Sequence, residues 1–250
     1  MTLFVVSPHL DDAALSVGAS IAARTAAGGD VVVVSVCTVV DHADRVAEDR
    51  AAIAALGARH VHLGLLDAPL RGVAENWAGL CDSDDDDAFA AAIAERLRPV
   101  LADATEVWGP LAVGGHIDHR ATSSALRQLG HFTAWEERPY ARQRGAVGAA
   151  WRRQGAIVLD EVSAVDVDDH VFFLDAVRAP ALARTTTPTV VRLGDRVLHR
   201  ERILVGDRDR EARRRCLQAY ASQWPFVVGT VAVGGWPWDD DAEALWRPDV

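Results

Sequence analysis

The chain has 250 residues and a formal net charge of −10 at pH 7, and 50% of its residues are hydrophobic. This length allows one large or two small domains, and the apolar fraction is enough for a substantial core. The negative charge argues against nonspecific nucleic-acid binding, which depends on a basic surface. The three cysteines are widely spaced and form no CxxC pair, which predicts reduced thiols without a disulfide framework or a zinc knuckle.

Neither membrane insertion nor export is predicted. The longest nearly apolar run, Val31 to Val40, is too short to span a bilayer. The first strand begins at Thr2 with no basic region before it, so a cleaved signal peptide is not expected. We therefore expect a cytoplasmic protein without a membrane partner.

The first predicted strand, Leu3 to Val6, is followed directly by the polar sequence SPHLDD, Ser7 to Asp12. Strands buried in parallel sheets are apolar throughout, and ligands of open α/β sheets bind at the carboxyl ends of such strands. His9 and Asp12 offer a nitrogen and an oxygen to a metal, and Asp11 then remains as a base. The two aspartates also fit a helix cap, because a helical pattern follows them.

The first half of the chain alternates between helical and strand patterns, which predicts an α/β fold with a Rossmann-like, mostly parallel sheet and helices on both faces. A dinucleotide-binding domain begins in the same way. However, SPHLDD stands where that domain requires a glycine-rich fingerprint. The predicted helices are Asp12 to Ala27, Arg45 to Leu56, Ala88 to Leu101 and Ala121 to Leu129, and the further strands are Val31 to Cys37, Arg59 to Leu63 and Thr105 to Trp108.

The last third of the chain has a less regular pattern. Ala156 to Val162 is predicted to be a strand, Val190 to Arg200 a hairpin around a Gly-Asp pair, and Arg208 to Ala221 a helix. We find no internal repeat and no low-complexity linker. The sequence therefore predicts a single domain over residues 1–250 with an elaborated C-terminal third.

A second polar cluster lies in VWGPLAVGGHIDHR, where His116, Asp118 and His119 follow the predicted strand that ends at Trp108. Two histidines around an aspartate at a strand-to-helix junction repeat the arrangement of the first cluster. A third metal ligand is thereby supplied.

PHLDD at Pro8 to Asp12 followed by GHIDH at Gly115 to His119 resembles the PIG-L or LmbE-like family of zinc-dependent de-N-acetylases, which act on N-acetylglucosaminyl conjugates. Further matches in the family's order are RVAEDRAAIAALG, the aspartate after HLGLL, WEERPY and AYASQ. The ordered set, which covers most of the chain, is more specific than any one of these matches.

The resemblance implies that His9, Asp12 and His119 bind zinc or another first-row divalent metal. It implies a hydrolase that removes an N-acetyl group from an N-acetylglucosamine-type sugar conjugate, giving a free amine and acetate. The substrate would be a small molecule, such as a natural-product intermediate or a thiol-pathway intermediate.

The resemblance also implies roles for residues around the metal. Asp11 would take the proton of the attacking water, and His116, oriented by Asp118, would stabilise the oxyanion. Arg45 would contact the sugar or its phosphate-bearing substituent, and Asp67 would hold sugar hydroxyls. Two alternatives remain open: a hydrolase of another N-acyl amide or of an ester on the same fold, and a nonhydrolytic Rossmann-like binding module.

Overall fold

The computed structural model describes residues 1–42, 44–74, 76–84, 86–138, 140–142, 145–163, 186–223 and 242–249, and elements are numbered along these ranges. The strands are β1 (Thr2–Ser7), β2 (Asp30–Val39), β3 (Arg59–Leu66), β4 (Glu106–Pro110), β5 (Thr133–Trp135), β6 (Ile157–Ser163), β7 (Thr186–Leu193), β8 (Arg196–Leu204) and β9 (Ala242–Pro248). The α-helices are α1 (Asp12–Ala26), α2 (Arg45–Ala55), α3 (Trp77–Asp82), α4 (Asp87–Val100), α5 (Ile117–Gln128), α6 (Ala146–Arg153) and α7 (Asp207–Gln218), and short 3₁₀ helices span Ala68–Arg71 and Tyr140–Arg142.

These strands form a nine-stranded sheet in the order β3-β2-β1-β4-β5-β9-β8-β7-β6. The first five strands in this order pair in parallel, and the remaining pairings, from β5–β9 to β6–β7, are antiparallel. The predicted α/β class with a mostly parallel central sheet is confirmed. The antiparallel strands are the elaborated C-terminal third.

Strands β1 and β2 are buried on both faces, which explains their unbroken apolar sequences. Alternate residues of a strand point to opposite faces. Leu3 and Val5 of β1 pack in a core with α1, α2 and α7, whereas Val6 packs in a second core with α4 and α5. Helices therefore cover both faces of the parallel strands, as predicted.

Helix α5 begins earlier than the sequence predicts, at Ile117 instead of Ala121. His116 occupies the N-cap, and its Nδ1 accepts a hydrogen bond of 3.2 Å from the backbone N–H of Asp118. A histidine ring in this place satisfies a donor that a helix end leaves free, although histidine is not a usual capping residue. The second polar cluster therefore lies in the first turn of α5.

Helix α1 is interrupted at Val17, whose φ of −134° is not helical. The backbone N–H groups of Ala19 and Ser20 donate to the Glu243 carboxylate of β9, at 2.9 and 2.8 Å. Glu243 also pairs with Arg213 of α7 at 3.1 Å, and both side chains are fully buried. The antiparallel part of the sheet is thus bonded to the helix that follows SPHLDD.

Smaller features also agree with the sequence. Strands β7 and β8 form the predicted hairpin, with Gly194 at a φ of 61°, which suits the first central position of a type II′ turn. Cys37, Cys81 and Cys216 are buried free thiols. Each helix in the described ranges is too short or too polar to cross a bilayer.

Candidate active site

The site forms where two neighbouring strands end. Strands β1 and β4 pair in parallel, with Leu3 opposite Glu106 and Val5 opposite Trp108. Their carboxyl ends consequently lie at the same edge of the sheet. The sequence SPHLDD leaves β1, and the loop to the first turn of α5 leaves β4, so the two polar clusters meet at this edge.

Three side-chain atoms from the two clusters form a nearly equilateral triangle. His9 Nδ1 lies 3.1 Å from Asp12 Oδ2, His119 Nε2 lies 3.3 Å from the same oxygen, and the two ring nitrogens are 3.2 Å apart. Tetrahedral zinc with bonds of about 2.0–2.1 Å separates its ligand atoms by roughly 3.3–3.4 Å. The triangle therefore fits a single cation without rearrangement.

The described residues contain two looser groups of possible ligands, each with its ligand atoms within 4.8 Å of one another: His9, His116 and His119, and His9, Cys37 and Asp118. The second group is less suited to a cation, because the Arg71 guanidinium already pairs with Asp118 at 2.7 Å. We therefore take the triangle with Asp12 as the candidate metal site, with His116 beside it.

Carboxylates contact the outer nitrogens of both candidate ligand imidazoles. Asp118 Oδ2 lies 3.1 Å from His9 Nε2, and Glu137 Oε1 lies 3.2 Å from His119 Nδ1. Such partners fix the tautomer of a ligand histidine and raise its basicity. Burial lowers the pKa of His119, but Asp12 and Glu137 outweigh it and raise that pKa to about 9. The surplus of negative charge around these rings is the environment that a buried divalent cation requires.

Glu137 was not identified as a site residue by the sequence analysis. It is fully buried, and its second oxygen accepts from the backbone N–H of Val113 at 3.1 Å. The sequence feature that could have identified Glu137 is WEERPY, Trp135 to Tyr140, which contains it. This segment matched the family, but no chemical role was assigned to its residues.

Asp11 occupies the N-cap of α1, but its side chain makes no capping hydrogen bond. The backbone N–H of Ala13 instead donates to Ser7 Oγ at 3.0 Å. Asp12 is turned away from the helix and accepts at 2.9 Å from the backbone N–H of His9. The helix-cap interpretation of the two aspartates therefore fails, since a serine satisfies the first turn.

The two adjacent carboxyls lie in different electrostatic environments. Burial, together with the charge of Asp12, raises the pKa of Asp11. Burial acts in the same direction on Asp12, but His119 and His9 outweigh it and hold the pKa of Asp12 well below its usual range. Pairs of carboxyls whose pKa values are driven apart typically divide acid–base and electrostatic work between them.

His116 is a neutral hydrogen-bond donor in this arrangement. Burial and the neighbouring His9 and His119 hold its pKa well below 6.5. Because its Nδ1 accepts from the Asp118 backbone N–H, the ring proton belongs on Nε2. Asp118 thus orients His116 through its main chain.

The Asp118 carboxylate makes contacts beyond those of its main chain with His116. It is fully buried and accepts from Arg71 Nη2 at 2.7 Å and from the backbone N–H of Ala68 at 3.0 Å, and it contacts His9 Nε2. Its carboxylate therefore supports a candidate metal ligand.

Arg45 and Asp67 both reach this edge of the sheet. Arg45 is the first residue of α2, and its charge lowers the pKa of the nearby Asp11. Asp67 caps the 3₁₀ helix through the Ala68 N–H at 2.8 Å, and the same Oδ1 lies 3.4 Å from His9 Nε2. Asp67 is therefore in contact with a candidate ligand as well as partly exposed, a position that the sequence did not predict.

The model of the GlcNAc-PI de-N-acetylase family, PIG-L, matches residues 4–129 of this chain. That range contains both polar clusters and half of the chain. The chain belongs to the PIG-L family, as the resemblance indicated.

Individual relatives agree with the family. The 2′-N-acetylparomamine deacetylase of Streptomyces fradiae is 35% identical over 117 residues, which cover 44% of this chain and only 41% of that protein. A solved deacetylase of the teicoplanin biosynthesis pathway has a TM-score of 0.66 at 21% identity, covering 100% of this chain and 99% of its own. A zinc-inhibited form of teicoplanin deacetylase has a TM-score of 0.64 at 21% identity, with the same coverage. At these identities the two structures show that the fold is shared.

The contact between Glu137 and His119 predicts that Glu137→Gln weakens divalent-metal affinity by about 10- to 100-fold, because a neutral amide is a poorer partner for the ligand imidazole. Competition with a chromophoric chelator measures this affinity. Glu136→Gln is the matched control, since Glu136 bonds Arg200 and Trp246 instead of a ligand. Equal affinities in the two variants would contradict the assigned role of Glu137.

Proposed function

We propose that this protein is a metal-dependent hydrolase that removes the N-acetyl group of an N-acetylglucosamine-type sugar conjugate, releasing acetate and a free amine. The observation that carries the proposal is the His9, Asp12 and His119 triangle with Asp11 and His116 beside it. Membership of the PIG-L family supports it. The paromamine and teicoplanin deacetylases favour an amino-sugar conjugate of an antibiotic as the substrate.

The proposed metal is zinc or another first-row divalent ion, held by His9, Asp12 and His119. Such an ion lowers the pKa of a water and polarises an acyl carbonyl. The set of two imidazoles and one carboxylate is typical of catalytic zinc and leaves a further position for water or substrate. Because a related deacetylase is described in a zinc-inhibited form, the native metal has to be tested among several ions.

Asp11 is the proposed general base. Burial and the charge of Asp12 raise its pKa, a shift in the direction that favours a base, since a base works best when its pKa approaches the operating pH. It takes the proton of the attacking water and returns it to the departing amine. That second transfer is necessary because an amine leaves poorly as its anion.

His116 is the proposed oxyanion donor. Its Nε2–H would donate to the acetyl oxygen as negative charge develops there, an interaction whose loss typically costs about a hundredfold to a thousandfold in rate. We assign Arg45 and Asp67 to the sugar part of the conjugate on the family resemblance, and the charge and partial exposure of Arg45 near Asp11 support this assignment.

The proposed function is tested by acetate release. The metal-free protein, reloaded separately with zinc, cobalt or manganese, is assayed against N-acetylglucosaminyl conjugates, against the same conjugates with longer acyl chains, and against O-acetyl analogues. We expect about one ion per chain and acetate release only from the metal-loaded protein. Full turnover in metal-free protein would contradict the metal requirement. Cleavage restricted to longer acyl groups or esters would contradict the substrate class.

The two adjacent aspartates should respond differently to substitution. Asp11→Asn should keep the metal and lose roughly a hundredfold to ten-thousandfold in rate, because the base is removed. Asp12→Asn should weaken the metal itself, so that added metal restores part of its activity by mass action. Metal content and rate are measured for both across a metal titration. If added metal instead restored the activity of Asp11→Asn, Asp11 would be the metal ligand and Asp12 the base.

A further inference from the structure

A buried hydrogen-bond network lies directly behind SPHLDD, and the mechanism proposed above does not use it. At its centre is Tyr220, in the AYASQ sequence that follows α7, with only 1% of the residue exposed. Its hydroxyl lies 2.7 Å from the Leu10 carbonyl oxygen and 2.8 Å from Asp49 Oδ1. Tyr220 therefore connects the C-terminal part of the chain to the first polar cluster.

The contact with Leu10 restrains the backbone of the proposed base, Asp11. The carbonyl of Leu10 and the backbone nitrogen of Asp11 belong to one planar peptide unit, so fixing the carbonyl fixes the plane from which Asp11 extends. Asp11 is the N-cap of α1, and its side chain makes no capping hydrogen bond. The orientation of Asp11 thus depends on how its backbone is held. Asp11 is also close enough to add to the raised pKa of Tyr220, which burial causes in the first place.

The contact with Asp49 holds Tyr220 from the other side, so the single hydroxyl proton is shared between two acceptor oxygens, the Leu10 carbonyl and Asp49 Oδ1. Asp49 is a fully buried residue of α2, and its second oxygen contacts His62 Nε2 at 2.7 Å and the Ser35 hydroxyl at 3.2 Å. These partners come from β3 and β2, and β2 lies beside β1. Since buried polar groups are costly unless satisfied, this network fixes the Tyr220 hydroxyl in one place.

We propose that Tyr220, held by Asp49, is a positioning residue for Asp11: its hydroxyl fixes the Leu10–Asp11 peptide so that the base meets the attacking water. The inference rests on the proposed function. A purely structural role would lower stability, metal content and substrate affinity together. Positioning of Asp11 lowers kcat alone, and it does so only while Asp11 is present.

The test is a double-mutant cycle between Tyr220→Phe and Asp11→Asn, measured as kcat and KM for acetate release. Tyr220→Phe keeps the buried ring and removes the hydroxyl. We expect kcat to fall by about 10- to 100-fold, because a displacement near 1 Å at a reacting group has effects of this size. KM and metal content should stay constant. In the Asp11→Asn background the same change should have no further effect, since coupled residues are not additive.

Ser222→Ala is the matched control, because it removes another hydroxyl of the same segment that contacts Glu48 at 2.7 Å, and it should leave kcat unchanged. Circular dichroism checks folding. If Tyr220→Phe does not fold, Asp49→Asn takes its place in the cycle, with the same expectation of non-additivity.

An equal loss of kcat in both backgrounds, or a change in KM or metal content instead of kcat, would overturn the inference while the proposed function stands. If Asp11→Asn hydrolyses as fast as the wild type, or if the wild type releases no acetate, the proposed function fails and the positioning role fails with it.

Discussion

The site depends on one constraint, the parallel pairing of β1 and β4. This pairing brings His9 and Asp12 from one strand end within 3.3 Å of His119 from the other. Carboxylates then surround the three atoms, and burying so many charges costs free energy unless opposite charge compensates them. A divalent cation at the candidate site would supply that compensation. The candidate metal site is therefore a consequence of the strand order and the charge balance together.

Residues outside the range that the family model matches also support this site. Three residues after position 129 act on it: Glu137 holds His119, Tyr220 contacts the peptide before Asp11, and Glu243 bonds α1. The part of the chain after position 129 therefore contributes directly to the candidate site. Its side chains contact a candidate ligand ring and the peptide before the proposed base.

The sequence predicted the strands and polar motifs that can be recognised from neighbouring residues alone. An apolar strand followed by SPHLDD and a second strand followed by GHIDH are visible without knowing the fold, and the α/β class follows from the alternation of patterns. The role of the Asp118 side chain was not predictable in this way. Its carboxylate contacts His9 and Arg71, which lie far from Asp118 in sequence, so these contacts depend on the fold.

Contacts between elements that are adjacent in the fold but distant in sequence were also not predicted. Glu137 reaches His119 only because β5 lies beside β4, and Tyr220 reaches Leu10 only because α7 packs on α1. The start of α5 was misplaced because a histidine ring, not a usual capping residue, satisfies its first turn. The first two contacts depend on neighbours that are distant in sequence, for which local patterns carry little information.

The central claim is that one cation is shared by His9 Nδ1, Asp12 Oδ2 and His119 Nε2. X-ray absorption spectroscopy of the zinc-loaded protein tests it most directly, because the bond lengths identify the donor atoms. We predict only nitrogen and oxygen donors at about 2.0–2.2 Å, including two imidazoles. A sulfur donor at about 2.3 Å would contradict the claim, since it would place the metal on the group of His9, Cys37 and Asp118.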